Sequence, residues 1–243
     1  MKASKFIIMM YLIFFAMMVG INYFVGSNVG QIANQYETLI QPAGYAFAIW
    51  GVIYLFLFIW IIRGFFIQGD KAALYKEFQF VLPINFVLNS LWILTFTRDN
   101  ILLSTIVILL LLGTLIWMYR VVWTISFSGL LDRIPFSIYF GWVSLASVVN
   151  LFTYAKSEGI TSFLGLSEFV WTVIVILVVT GIAARITLRN QDLILPLVYI
   201  WTFIAIYVKD QQQLLQFTLL LCCLVLVVCV VFIAIRKMKK FVK

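Results

Sequence analysis

The chain contains no histidine, and its 243 residues include only nine acidic side chains, four prolines and three cysteines. The missing imidazole removes the commonest proton-transfer group and the commonest metal ligand. Cys222, Cys223 and Cys229 all lie in the last apolar run. They cannot form a secreted disulfide framework, and adjacent thiols do not make a zinc site, so small residues in helix packing is the reading they support. Charged residues make up only 11% of the chain, too few for a soluble domain of this size. None of the long apolar stretches carries a clear Asp, Glu, Lys or Arg at its centre. Ion-driven transporters, voltage sensors and proton relays usually need such a group. Facilitated passage of a neutral or amphipathic molecule stays open.

What is abundant is apolar: 65% of residues are hydrophobic and 17% aromatic, the composition of a polytopic membrane protein. Eight runs approach or exceed spanning length, near residues 6–25, 45–67, 78–97, 101–123, 134–155, 167–186, 192–208 and 213–235. The seventh is short and holds Pro196, which makes it the weakest as a full span. The first exceeds the 7–15 apolar residues of a signal peptide, so an uncleaved first helix is expected. Residues 98–100 and 209–212 read as tight turns between antiparallel helices.

The net charge of +8 could suggest nucleic acid, but its distribution points to a membrane. With the N-terminus inside, fourteen basic residues fall in inner segments: Lys2, Lys5, Arg63, Lys71, Lys76, Arg120, Arg133, Arg185, Arg189, Arg236, Lys237, Lys239, Lys240 and Lys243. Only Arg98, Lys156 and Lys209 fall outside. This asymmetry predicts an all-α bundle of about eight transmembrane helices in the plasma membrane, both termini cytoplasmic, with the bilayer and not nucleic acid as its partner.

The single long external segment, about 26–44, is Asn/Gln-rich and ends in Pro42-Ala-Gly44. It reads equally well as a binding lid or as a solvated connector.

Within the spans, unusual residues recur at helical spacing. Phe47, Trp50 and Tyr54 share a face of the second span, and Asn85, Asn89 and Trp92 a face of the third. Tyr139, Trp142, Ala146 and Asn150 line one side of the fifth. At 1.5 Å per residue, Trp50 and Trp92 both lie roughly 7 Å below the outer ends of their spans, and Asn89 roughly 12 Å. Convergence of these groups in the outer half of the bundle would form a small-molecule pocket with aromatic walls and a few amides. Each residue also has a plainer reading. Asn in a span often bonds a neighbouring helix. Trp117, Trp123 and Trp60 fit the headgroup belt, and Trp142, at mid-depth, is left to packing or ligand contact. Tyr199 and Trp201 point in different directions.

At these positions the chain resembles the TspO/MBR family of tryptophan-rich sensory and translocator proteins. Trp142-Val-Ser-Leu-Ala146 followed by Asn150 is similar to that family's fifth-helix signature, with Tyr139 where its Pro-Tyr pair has Tyr. Leu88-Asn89-Ser-Leu-Trp92 with Phe96 resembles the third-helix motif, and Trp50-Gly-Val-Ile-Tyr54 after Pro42 the second. Phe47-Ala-Ile replaces the family's Phe-Gly-Pro, and Ile138 replaces the Pro of Pro-Tyr. The resemblance covers about residues 1–158, a five-helix core, and leaves 159–243 as a three-helix extension.

The resemblance implies binding of a porphyrin, a haem-like tetrapyrrole or a sterol-like lipid, and a possible homodimer. Trp50 and Trp142 would line the pocket, with Tyr54, Asn89, Trp92, Tyr139, Ala146 and Asn150 shaping it. An indole face can stack on a macrocycle, and without histidine no imidazole can ligate a haem iron. The role expected is sensory or translocating, with no resident cofactor, no metal and no catalytic residue. A facilitative transporter, a Trp-dependent porphyrin-degrading protein and a purely structural membrane subunit are the alternatives.

Overall fold

The computed structural model describes residues 4–125, 128–209 and 212–241, apart from the side chains of Lys71, Lys240 and Phe241. Helices dominate: α1 (Lys5–Val25), α2 (Val29–Gln35), α3 (Ile49–Arg63), α4 (Ala73–Glu77), α5 (Val81–Thr97), α6 (Ile101–Thr124), α7 (Leu130–Ser157), α8 (Glu168–Asn190), α9 (Leu195–Lys209) and α10 (Gln213–Phe241). Among the described residues, six helical stretches are long and apolar enough to cross a membrane, and Val81–Thr97 and Leu195–Lys209 are shorter apolar helices. At 1.5 Å per residue, the 17 residues of α5 rise only about 25 Å and the 15 of α9 about 22 Å, less than the ~30 Å hydrocarbon core. The chain is therefore a polytopic helical membrane bundle with two helices that stop short of full thickness.

The chain divides into two compact units. One comprises the described parts of Met1–Tyr36 and Ala48–Tyr154, and the other comprises Glu37–Phe47 and Ala155–Lys243.

In the first unit, α5 is the central element. It packs on α1 and α6 and buries Leu82, Asn85, Phe86, Asn89, Trp92 and Phe96. The α5–α6 connection is the tight turn expected at 98–100. Asp99 takes a left-handed φ of 62°, and the Asn100 side chain caps α6 by accepting from the Leu103 amide at 3.3 Å. α3 ends at Gly64, where an added Cβ would meet Ile8 and the Tyr75 ring. α7 begins four residues earlier than the sequence pattern suggests, bringing Asp132 into its first turn. The first half of the long loop is also ordered: a 3₁₀ turn at Gly26–Asn28 leads into α2, and Tyr36 bonds Asp99 at 3.2 Å.

In the second unit, α10 packs on both α8 and α9. α8 ends with Gln191 in the left-handed conformation. The Asp192 carboxylate then accepts the Ile194 and Leu195 amides at the start of α9. Pro196 falls in the first turn of α9, where its missing N–H has no intrahelical partner to lose. A two-residue hairpin turn at Leu164-Gly165, both with positive φ, joins β1 (Ser162–Phe163) to β2 (Leu166–Ser167).

Residues 37–47 are fixed rather than free. The Ala43 amide donates to the Ala205 carbonyl at 3.0 Å, and Trp201 Nε1 donates to the Ala46 carbonyl at 3.2 Å. The expected turn at 209–212 includes residues 210 and 211, which lie outside the described residues, as do Lys2 and Lys243 of the charge count.

Candidate functional site

Four of the sequence-selected side chains gather around Trp50 of α3. Its ring lies 5.7 Å from Tyr54, 5.9 Å from Trp92 of α5, and 5.8 and 6.3 Å from Tyr139 and Trp142 of α7. The Tyr54 and Trp92 planes are inclined to it by 27° and 33°, and those of Tyr139 and Trp142 stand edge-on. Both arrangements are favoured by the ring quadrupole. Trp92, Tyr139 and Trp142 are buried, whereas Trp50 keeps partial exposure. Ala146, one turn beyond Trp142, is also partly exposed and adds no polar group.

The two amides knit helices. Asn89 donates to the Tyr139 hydroxyl at 3.0 Å and accepts from Asn22 Nδ2 of α1 at 2.8 Å. Asn150 accepts from Trp92 Nε1 at 2.9 Å and donates to Thr105 at 2.7 Å and Ser104 at 3.2 Å, both on α6. Deep in an apolar bundle, an amide without partners is costly, and these networks satisfy both. Asn22, Ser104 and Thr105 did not emerge from the sequence as members of the group. A lone amide in the first apolar run was the available signal for Asn22.

The hydrogen bonds of the cluster do not extend to Tyr54. The Tyr54 hydroxyl is buried and has no hydrogen-bond partner among the described residues. Such atoms are rare in folded proteins. Asn85, on the same α5 face as Asn89, donates to Thr114 of α6 at 2.8 Å, and its carbonyl oxygen is likewise buried without a partner.

The same unit holds a second aromatic cluster, about ten residues further along α3. Trp60 stacks on Tyr75 of α4 at 4.2 Å with planes 10° apart, and meets Phe136 edge-on at 5.2 Å. Trp60 was expected in the headgroup belt; instead it is 1% exposed. The reason is chemical: its Nε1 donates to the buried Asp132 carboxylate at 3.1 Å, and Asp132 is ion-paired with Arg63. The Tyr75 hydroxyl donates to the Trp60 carbonyl at 2.7 Å, and the Tyr11 hydroxyl to the Tyr75 carbonyl. Trp117 is 38% exposed, as a belt residue would be, and Trp123 lies under the Arg133 guanidinium at 4.3 Å.

No carboxylate, amine or imidazole belongs to the Trp50 group. Its chemistry is that of aromatic faces and neutral hydrogen bonds, suited to holding a molecule rather than to moving its protons.

The fold and this cluster define a polytopic helical membrane protein with a tryptophan- and asparagine-lined intramembrane core. The chain belongs to the TSPO-like protein family, whose model matches residues 2–233 and so runs through α8, α9 and most of α10 as well as the first unit. No curated protein and no solved structure matches the chain.

Proposed function

We propose that the protein binds a flat hydrophobic ligand, a porphyrin-type tetrapyrrole or a sterol-like lipid, at the Trp50 cluster and serves a sensory or translocator role. The observation that carries this reading is the combination of a partly exposed Trp50 among four aromatic rings and an unpartnered, buried Tyr54 hydroxyl. The family membership supports it.

A plate held between two ring faces needs them roughly 7–8 Å apart, twice a carbon–carbon contact. The rings around Trp50 lie at 5.7–6.3 Å. Entry therefore requires Trp50 to swing aside, which its partial exposure permits, while Asn89 and Asn150 hold α1, α5, α6 and α7 in register. Trp92 and Trp142 then offer faces for stacking, and the Tyr54 hydroxyl gains a partner.

The charge asymmetry of the sequence supports a plasma-membrane protein with both termini cytoplasmic. Fusing a reporter active only in the cytoplasm to each terminus tests that orientation. The binding reading is tested by titrating the full-length protein in detergent with protoporphyrin IX and following tryptophan fluorescence. Saturable quenching with Kd raised at least tenfold by Trp50→Phe combined with Trp142→Phe is expected. Unchanged affinity in that double variant would remove the proposed pocket. Uptake into sealed vesicles separates transport from binding, and loss of the porphyrin band under illumination marks degradation. Cross-linking across a concentration range tests the homodimer.

A further inference from the structure

The second unit contains a cavity of about 370 Å³ where α8 begins and α9 ends, within the size range of small-molecule sites. Glu37, Thr38 and Gln41 line it from the 37–47 segment, with Lys156 from the end of α7, Glu168 from the start of α8 and Lys209 from the end of α9. Its charges form two ion pairs, Lys209–Glu37 at 3.0 Å and Lys156–Glu168 at 3.3 Å. Glu168 is also anchored by accepting the Leu39 amide at 2.8 Å through its other oxygen.

Thr38 is 5% exposed, and its hydroxyl is buried with no hydrogen-bond partner among the described residues. A buried hydroxyl without a bond, on a residue that lines a charged cavity, calls for an explanation. Nearby, the Thr38 carbonyl accepts the Gln41 amide and the Leu39 amide donates to Glu168.

We propose that this cavity binds a small zwitterion, a molecule carrying an ammonium and an oxyanion on one short scaffold. Two carboxylates and two ammonium groups cancel, so a simple anion meets as much repulsion as attraction, and so does a simple cation. A ligand with both charges exchanges into the ion pairs. Its ammonium faces Glu37 and Glu168, and its oxyanion faces Lys156 and Lys209 with charge-assisted hydrogen bonds. The Thr38 hydroxyl donates to the same oxyanion. All four charged side chains are partly exposed, 25–64%, so the pairs can exchange partners. Two sources share this chemistry, a free solute such as an amino acid and the headgroup of a zwitterionic phospholipid.

The test uses the full-length protein in non-ionic detergent. Calorimetric titration with L-alanine and glycerophosphoethanolamine is compared with glycerol phosphate and ethanolamine, which each carry one of the two charges. Native mass spectrometry compares retention of phosphatidylethanolamine and phosphatidylglycerol. At least one zwitterionic probe binds saturably and at least tenfold tighter than its single-charge counterparts. Binding of a free probe identifies a solute site, and retention of phosphatidylethanolamine alone identifies a lipid headgroup site. Thr38→Val and Glu37→Gln each weaken that binding at least tenfold without lowering the melting temperature. The proposal is overturned if no zwitterion binds, if single-charge probes bind equally well, or if Thr38→Val leaves affinity unchanged.

Discussion

The two aromatic clusters of α3 use the same residue types to opposite ends. Around Trp60, the indole N–H, the Tyr75 and Tyr11 hydroxyls and the Asp132 carboxylate all have partners, and Trp60 itself is sealed at 1% exposure. Around Trp50, about 15 Å along the same helix, the central indole keeps partial exposure and the Tyr54 hydroxyl has no hydrogen-bond partner among the described residues. One cluster is closed and locks the unit together. The other keeps a partly exposed indole and a buried hydroxyl without a hydrogen bond among the described residues. Aromatic density alone therefore does not separate the two clusters; an unsatisfied polar atom beside a partly exposed ring does.

The largest expected effect breaks the closed cluster. Asp132→Ala strands the Trp60 N–H and the Arg63 guanidinium. It is expected to destabilise the protein by about 3 kcal/mol, the lower end for a broken buried pair because Arg63 retains 21% exposure. Thermal unfolding in detergent reads this directly.

Gly64→Ala tests the same region by overpacking. The new Cβ would come within 2.6 Å of a Tyr75 ring held against Trp60, and 2.9 Å of the Ile61 carbonyl. A loss of about 1–3 kcal/mol is expected, with porphyrin affinity unchanged. Equal stability of Gly64→Ala and the parent protein would show that this contact can relax.

Asn150→Leu sharpens the comparison from the other side. It removes three hydrogen bonds and leaves the Trp92 N–H unpaired. Interhelical bonds in membranes average about 0.6 kcal/mol each, so a loss of about 1–2 kcal/mol is expected in an unfolding titration.

Tyr54→Phe gives the smallest change. Deleting a hydroxyl that has no partner is expected to leave stability within about 0.5 kcal/mol of the parent, or to raise it slightly, while weakening porphyrin binding. A clear loss of stability would mean that the hydroxyl is already satisfied.

Most of the helical framework was legible in the sequence because lipid forces long uninterrupted apolar runs. The runs near 101–123 and 213–235 correspond to α6 and α10, and even the short run with Pro196 folds as α9. The helical spacing of Trp50 and Tyr54, Asn89 and Trp92, and Tyr139 and Trp142 placed them on common faces, and the structure brings these residues together.

What escaped depended on partners outside the runs. Trp60 looked like a belt residue because Tyr75 lies in α4, within a connection that has no apolar period, and because Asp132 stood just before the expected start of its helix. The amides of Asn89 and Asn150 gave no sign of whom they would bond. The long loop split into α2, which bonds through Tyr36, and the 37–47 segment, which bonds to residues of α8 and α9. Neither fate is written in its Asn/Gln-rich composition.

The most direct measurement compares protoporphyrin IX affinity in Trp50→Phe and Trp60→Phe, read from porphyrin absorbance so that loss of an indole does not alter the signal. If the Trp50 cluster is the binding site, Trp50→Phe raises Kd severalfold or more and Trp60→Phe, although less stable, binds as the parent does. Equal affinities in the two variants, or a larger loss in Trp60→Phe, would contradict that assignment.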